Sequence, residues 1–159
     1  MNAADIKGRA VINILTGARL GRVDEVLFEH GSLTLTAFRV TADGQHALIP
    51  FSDVESLGSN AVMVPGDDVA QWMTTAATVA EGLVSFDALK HYKVVDAAGT
   101  LLGTPKALDL DPTDGRLQRL DIQRGGVLGL GGQTAAVSSG DIASVGADVI
   151  VVRTAVPPA

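Results

Sequence analysis

The side chains best suited to chemistry in this 159-residue chain are few and stand apart. Three histidines, His30, His46 and His91, fall at expected turns or strand ends. A Ser-His-Asp triad can be drawn on paper from any of them. The G-x-S-x-G elbow that would present a serine nucleophile is missing. No cysteine is present, which excludes disulfides, thiolate metal sites, Fe–S clusters and a cysteine nucleophile. "DLDPTDG", Asp109–Gly115, is superficially similar to a calcium loop. An EF-hand loop needs a glycine at its sixth position and a helix on each side. Here the glycine is seventh, and the segment joins two expected strands through ordinary turn residues, Pro112 and Asp114-Gly115. "GGVLGLGGQ", Gly125–Gln133, lacks the Lys and Ser/Thr of a phosphate loop. These residues predict no catalytic centre, no metal and no cofactor.

The glycine loop does carry apolar side chains where polar ones are usual. Val127, Leu128 and Leu130 would either fold back to plug an open barrel end or meet a partner or second subunit. Trp72 and Met73 pose the same choice: packing between domains, or anchoring a partner, a role in which Trp is enriched. These five residues form the candidate interaction surface, and a homodimer is the default self-contact.

Charge narrows the partners. The net charge is −6, with five Lys/Arg against nine Asp/Glu in residues 1–80 and seven against nine in residues 81–159. Nucleic acids and anionic membrane surfaces select for an excess of clustered cations, so neither is expected as a partner. No apolar run approaches the roughly 18 residues of a membrane span. The start, "MNAADIKGRA", lacks the basic-then-apolar order of a signal peptide. With no cysteine, the chain suits a reducing cytoplasm.

The elements that would position these residues come in two copies. Gly17, Gly21, Val26 and Phe28 reappear 82 residues later as Gly99, Gly103, Leu108 and Leu110. Val11-Ile12-Asn13 matches Val94-Val95-Asp96 at a shift of 83, Gly31 and Leu33 match Gly115 and Leu117 at 84, and Ile49–Val64 matches Val137–Val152 at 88. Each copy reads as short strands divided by turn signals. They are expected near Ala10–Leu15, Leu20–Glu29, Leu33–Val40, Ala47–Phe51 and Ala61–Val64, then near Lys93–Asp96, Leu101–Leu110, Leu117–Gln123, Thr134–Val137 and Asp148–Arg153. The first glycine of each G-x-x-x-G fits a hairpin turn with positive φ. Val23 to Val26 is a step of three in a period-two strand, repeated from Pro105 to Leu108, which predicts a β-bulge in both copies. Ser52 and Glu55 have capping-box spacing, and Asp141, Ile142 and Val145 repeat that turn. Between the copies, an Asp67 or Asp68 cap and a Val69, Trp72, Met73, Ala76 face predict a short helix.

"LIPFSDVESLG" (Leu48–Gly58), the paired G-x-x-x-G hairpins, and "LGLGG" followed by "DIASVGADVIVV" resemble the PRC-barrel domain. That module is found in the photosynthetic reaction centre H subunit and in the C-terminal half of the ribosome maturation factor. The resemblance covers roughly residues 6–65 and 85–153. It implies small β-barrels that bind partners, not an enzyme. Neither the membrane helix of the former nor the separate N-terminal domain of the latter is recognisable. The reading is an all-β protein: two small PRC-type β-barrels in tandem with a short linking helix. Its expected divisions are residues 1–65 (copy one), 66–82 (helical linker), 83–155 (copy two) and 156–159 (frayed tail). The expected function is a non-enzymatic protein-interaction or assembly module. The alternatives are a small-ligand-binding protein with its site between the barrels, and an accessory factor in RNA processing or ribosome assembly.

Overall fold

The computed structural model describes residues 1–73, 82–124 and 134–153. The first half comprises helix α1 (Ala3–Ile6) and strands β1 (Ala10–Asn13), β2 (Arg19–Glu29), β3 (Leu35–Ala42), β4 (Gln45–Pro50), β5 (Ser56–Leu57), β6 (Ala61–Val64) and β7 (Gln71–Met73). The second comprises β8 (Leu83–Ser85), helix α2 (Phe86–Leu89), β9 (Lys93–Asp96), β10 (Leu101–Leu110), β11 (Leu117–Gln123), β12 (Thr134–Ser138), β13 (Ile142–Val145) and β14 (Val149–Val152).

The two halves are built alike. One sheet runs β5-β6-β1-β2-β3-β4-β7, and the other, read from its far edge, runs β13-β14-β9-β10-β11-β12. In each, the short first strand, β1 or β9, sits mid-sheet between its antiparallel hairpin partner and the return strand, with which it makes the parallel pairs β1–β6 and β9–β14.

The bulges lie where the steps of three predict them. Val23 and Glu25 oppose Val40 and Arg39, leaving Asp24 as the extra residue. Pro105 and Ala107 oppose Ile122 and Asp121, leaving Lys106. An extra residue on one strand strengthens twist and bends it, which lets a small sheet curl around its own core. The first glycine of each hairpin takes positive φ, +73° at Gly17 and +84° at Gly99. The second allows close approach: a Cβ on Gly103 would lie 2.1 Å from the Gln123 carbonyl oxygen, and one on Gly21 would lie 2.5 Å from that of Thr41.

The hairpin loops correct the shift of 84. The Leu33 N–H donates to the Glu29 carbonyl and the Gly115 N–H to that of Asp111, so Leu33 is the counterpart of Gly115 and the shift stays at 82. Leu33 holds φ +55° while fully buried. A non-glycine residue there costs about 1–3 kcal/mol, held in place by the packing of its side chain.

The linking helix is also corrected. Asp67–Val69 forms a single 3₁₀ turn with no side-chain cap, and the Asp67 carboxylate accepts instead from Asn13 Nδ2 at 2.8 Å. Gln71–Met73 is a strand, paired antiparallel with β4. A short apolar run fits either period, and the open edge of β4 decides the matter. The remainder of the expected helix, residues 74–81, lies outside the described residues, as does the expected frayed tail, 156–159. The capping box is not formed either: Phe51–Asp53 is a 3₁₀ turn behind Pro50, without a side-chain cap. The expected repeat is corrected in the same way: the 3₁₀ turn is Ser139–Asp141, where Ser138 Oγ donates to Asp141 Oδ2 at 3.0 Å, while Ile142 and Val145 lie on strand β13.

Candidate functional site

The halves hold each other through exchanged segments. The α1 sequence "NAADIK" and the α2 sequence "SFDALK" correspond at a shift of 83. Each is capped by its own side chain, Asn2 Oδ1 accepting from the Ala4 N–H and Ser85 Oγ from the Ala88 N–H. Each packs on the other half. The chain ahead of α1 lies against β10, with Asn2 bridged to Asp109 and the Leu110 N–H donating to the Met1 carbonyl at 2.7 Å. The strand ahead of α2 lies against β2, with Ser85 opposite Leu27. These are equivalent positions, so the halves are related as the subunits of a two-fold dimer would be. Ile6, Phe86 and Leu89 are buried where this exchange occurs, and both halves contribute to one continuous apolar cluster.

An ionisable group is buried at this junction. Glu25, on the β2 bulge, is only 5 % exposed, and its Oε1 accepts from the Val26 N–H. Desolvation, followed by the charge of Asp87, pushes its carboxyl above the ordinary range. Lys7 Nζ donates to Asp87 Oδ2 at 3.0 Å, and this bond holds Lys7 up and Asp87 down. Lys90 stands 3.3 Å from Asp87.

A cleft of about 350 Å³ also opens between the halves. Phe51, Ser52, Glu55 and Ser56 come from the "FSDVES" turn of copy one, and Pro112 and Thr113 come from the "DPTDG" turn of copy two. Within that second turn, the Asp111 and Asp114 side chains accept from the Thr113 and Arg116 N–H groups. This is Asx-turn chemistry. Among the described residues, no group of three His, Asp or Glu side chains is arranged to hold a metal.

The histidines are dispersed. His30 meets the ring of Tyr92 edge-on at 6.3 Å, and burial raises the Tyr92 phenol. His46 Nδ1 lies 3.3 Å from Asp24 Oδ2 without closing a hydrogen bond, while Arg39 donates to the same carboxylate at 2.8 Å. His91 is exposed after α2.

Of the candidate interaction residues, Val127, Leu128 and Leu130 lie outside the described residues. Trp72 and Met73 lie on β7, opposite Ala47 and His46. Trp72 therefore shares the face of the buried Ala47, Val40 and Val23, yet remains 43 % exposed at the end of the sheet. Among the described residues, β7 has a strand on one side only.

The exchange of α1 and α2 was missed in the sequence, although the repeat of capping residue and apolar pair is a signal that marks the two helices as counterparts. The β7 edge carries no such signal, because nothing local distinguishes "QWM" from a helical turn.

The PRC-barrel domain family model matches the chain twice, over residues 1–71 and 81–155. A search of curated proteins gives no match. No helix among the described residues is long and apolar enough to cross a membrane.

Proposed function

Since the chain belongs to the PRC-barrel domain family through both of its halves, we propose that it is a non-enzymatic, cytoplasmic interaction or assembly module whose first partner is a second copy of itself. The observation that carries this reading is the β7 edge with its half-exposed Trp72. An edge strand offers a row of backbone donors and acceptors to a further strand. Trp adds a large apolar anchor beside that row. The loop residues Val127, Leu128 and Leu130 belong to the same proposal as the expected remainder of the contact.

Light scattering on a sizing column tests it. The expected mass exceeds the single-chain 16.3 kDa. Trp72→Asp should shift it toward one chain without loss of fold, because a charge tolerated in water is disfavoured in a dry interface. A wild type that runs as a single chain at every concentration refutes self-association.

The cleft between the halves supports a second reading, a small-ligand site. Its Glu55, Ser52 and Thr113 would supply the polar contacts. A role in RNA processing or ribosome assembly draws only on the family and is opposed by the acidic charge.

A further inference from the structure

The cations of the first half are not spread over its surface. Four of the five Lys and Arg in residues 1–80, namely Lys7, Arg9, Arg19 and Arg22, line one shallow groove of about 380 Å³ beside β1. Two irregularities bring them together. Ile12 opposes Arg19 and Val11 opposes Gly21, so Leu20 is an extra residue in β2. That bulge turns Arg19 and Arg22, three apart, onto the face of Ala10 and Ile12. Arg9, just ahead of β1, donates to the Gly58 carbonyl at 2.7 Å, and the following turn adds Ser59 and Asn60 to the groove wall.

Like charges repel, and this half has nine carboxylates to separate them. Yet Arg9, Arg19 and Arg22 have no ion pair among the described residues, whereas Arg39 is paired with Asp24 and Lys7 with Asp87. Among the described residues, Asp5 is the one carboxylate on the groove wall. The second half shows that the fold does not require this arrangement. At the positions of Arg9, Arg19 and Arg22 it carries Tyr92, Leu101 and Thr104 on the same strand framework. At these three positions, all among the described residues, guanidinium groups occur in copy one and not in copy two.

We infer that this groove binds a short acidic peptide segment of a protein partner. Guanidinium groups match carboxylates in bidentate geometry. The groove is too open to enclose a free small anion. The hairpin leading to Arg19 exposes Ile14 and Leu15, at 52 % and 79 %, so an apolar residue beside the acids would find a contact there. A nucleic acid or an anionic membrane would extend past the patch onto a chain of net charge −6. The inference stands apart from the β7 edge, and its test leaves that edge untouched.

The probe is a short fluorescent peptide of alternating glutamate and leucine, read by anisotropy at low salt. The wild type should bind it, with affinity falling as salt rises. Arg19→Glu with Arg22→Glu should weaken binding at least about tenfold. Lys93→Glu with Lys106→Glu, the same charge change on the second half, should leave it unchanged. Circular dichroism checks the fold of each variant, and Arg19→Gln with Arg22→Gln replaces the reversal if that pair unfolds. No binding by the wild type overturns the inference, as does equal weakening by the two charge reversals. Displacement by inorganic phosphate or by a single-stranded oligonucleotide at lower concentration than unlabelled peptide overturns it in favour of those anions.

Discussion

Truncating Ile6 should loosen the half of the protein to which it does not belong in sequence. Ile6 is fully buried in α1, which packs on β10. Ile6→Ala removes three carbons at about 0.8 kcal/mol each. The cavity left behind brings the loss to about 3 kcal/mol, or roughly a hundredfold in the population of open states. Native-state hydrogen exchange reads that change strand by strand. Because α1 lies across the junction and both halves share one apolar cluster, the amides of β10 and β11 should lose protection by the same factor as those of β1 and β2. The counterpart Leu89→Ala, in α2 and equally buried, should do the reverse and loosen β2 and β3 together with its own half. Protection in β10 and β11 that is unchanged by Ile6→Ala, with loss confined to β1 and β2, would refute the exchanged junction as an energetic link.

Gly103→Ala should destabilise the fold severely, since φ +144° and a Cβ 2.1 Å from the Gln123 oxygen leave no relaxation short of opening the β10–β11 pair; a thermal melt close to that of wild type contradicts this. Glu25 has its folded pKa raised from the ordinary 4.5, so it binds a proton more readily in the folded state. Its contribution to stability is present below that value and is lost as pH rises through the folded pKa. Glu25→Gln should therefore flatten the decline in urea midpoint above pH 4.5. Asp87 acts in the opposite sense: its folded pKa lies below the ordinary 3.8, so its contribution is present above 3.8 and fades as pH falls through the folded pKa. An undiminished decline in Glu25→Gln would assign it to another group.

Much of the fold was legible because duplicated positions check one another. The bulges at Asp24 and Lys106 follow from apolar residues three apart, since only an extra residue returns both to the core face. The hairpin shift was misjudged for a definite reason. Gly31 invites alignment with Gly115, but the position that needs positive φ is filled in copy one by Leu33, whose burial overrides its backbone preference. The linker failed similarly: the spacing of Val69, Trp72 and Met73 fits a helix, and only the neighbouring β4 edge makes Gln71–Met73 a strand. Of the candidate site, Trp72 and Met73 were identified by residue type but not by element. The basic groove was missed because it is assembled by the Leu20 bulge and the Gly58 turn, while a count by halves showed only a net negative charge.

The claim that the β7 edge is an assembly surface is tested most directly by hydrogen exchange of the Gln71, Trp72 and Met73 amides as a function of protein concentration. If a second copy pairs with that edge, the outward-facing amides of β7 should slow as concentration rises, while the β2 amides already paired with β3 keep their rates. Exchange in β7 that is independent of concentration, in a sample that stays at the mass of one chain, would contradict it.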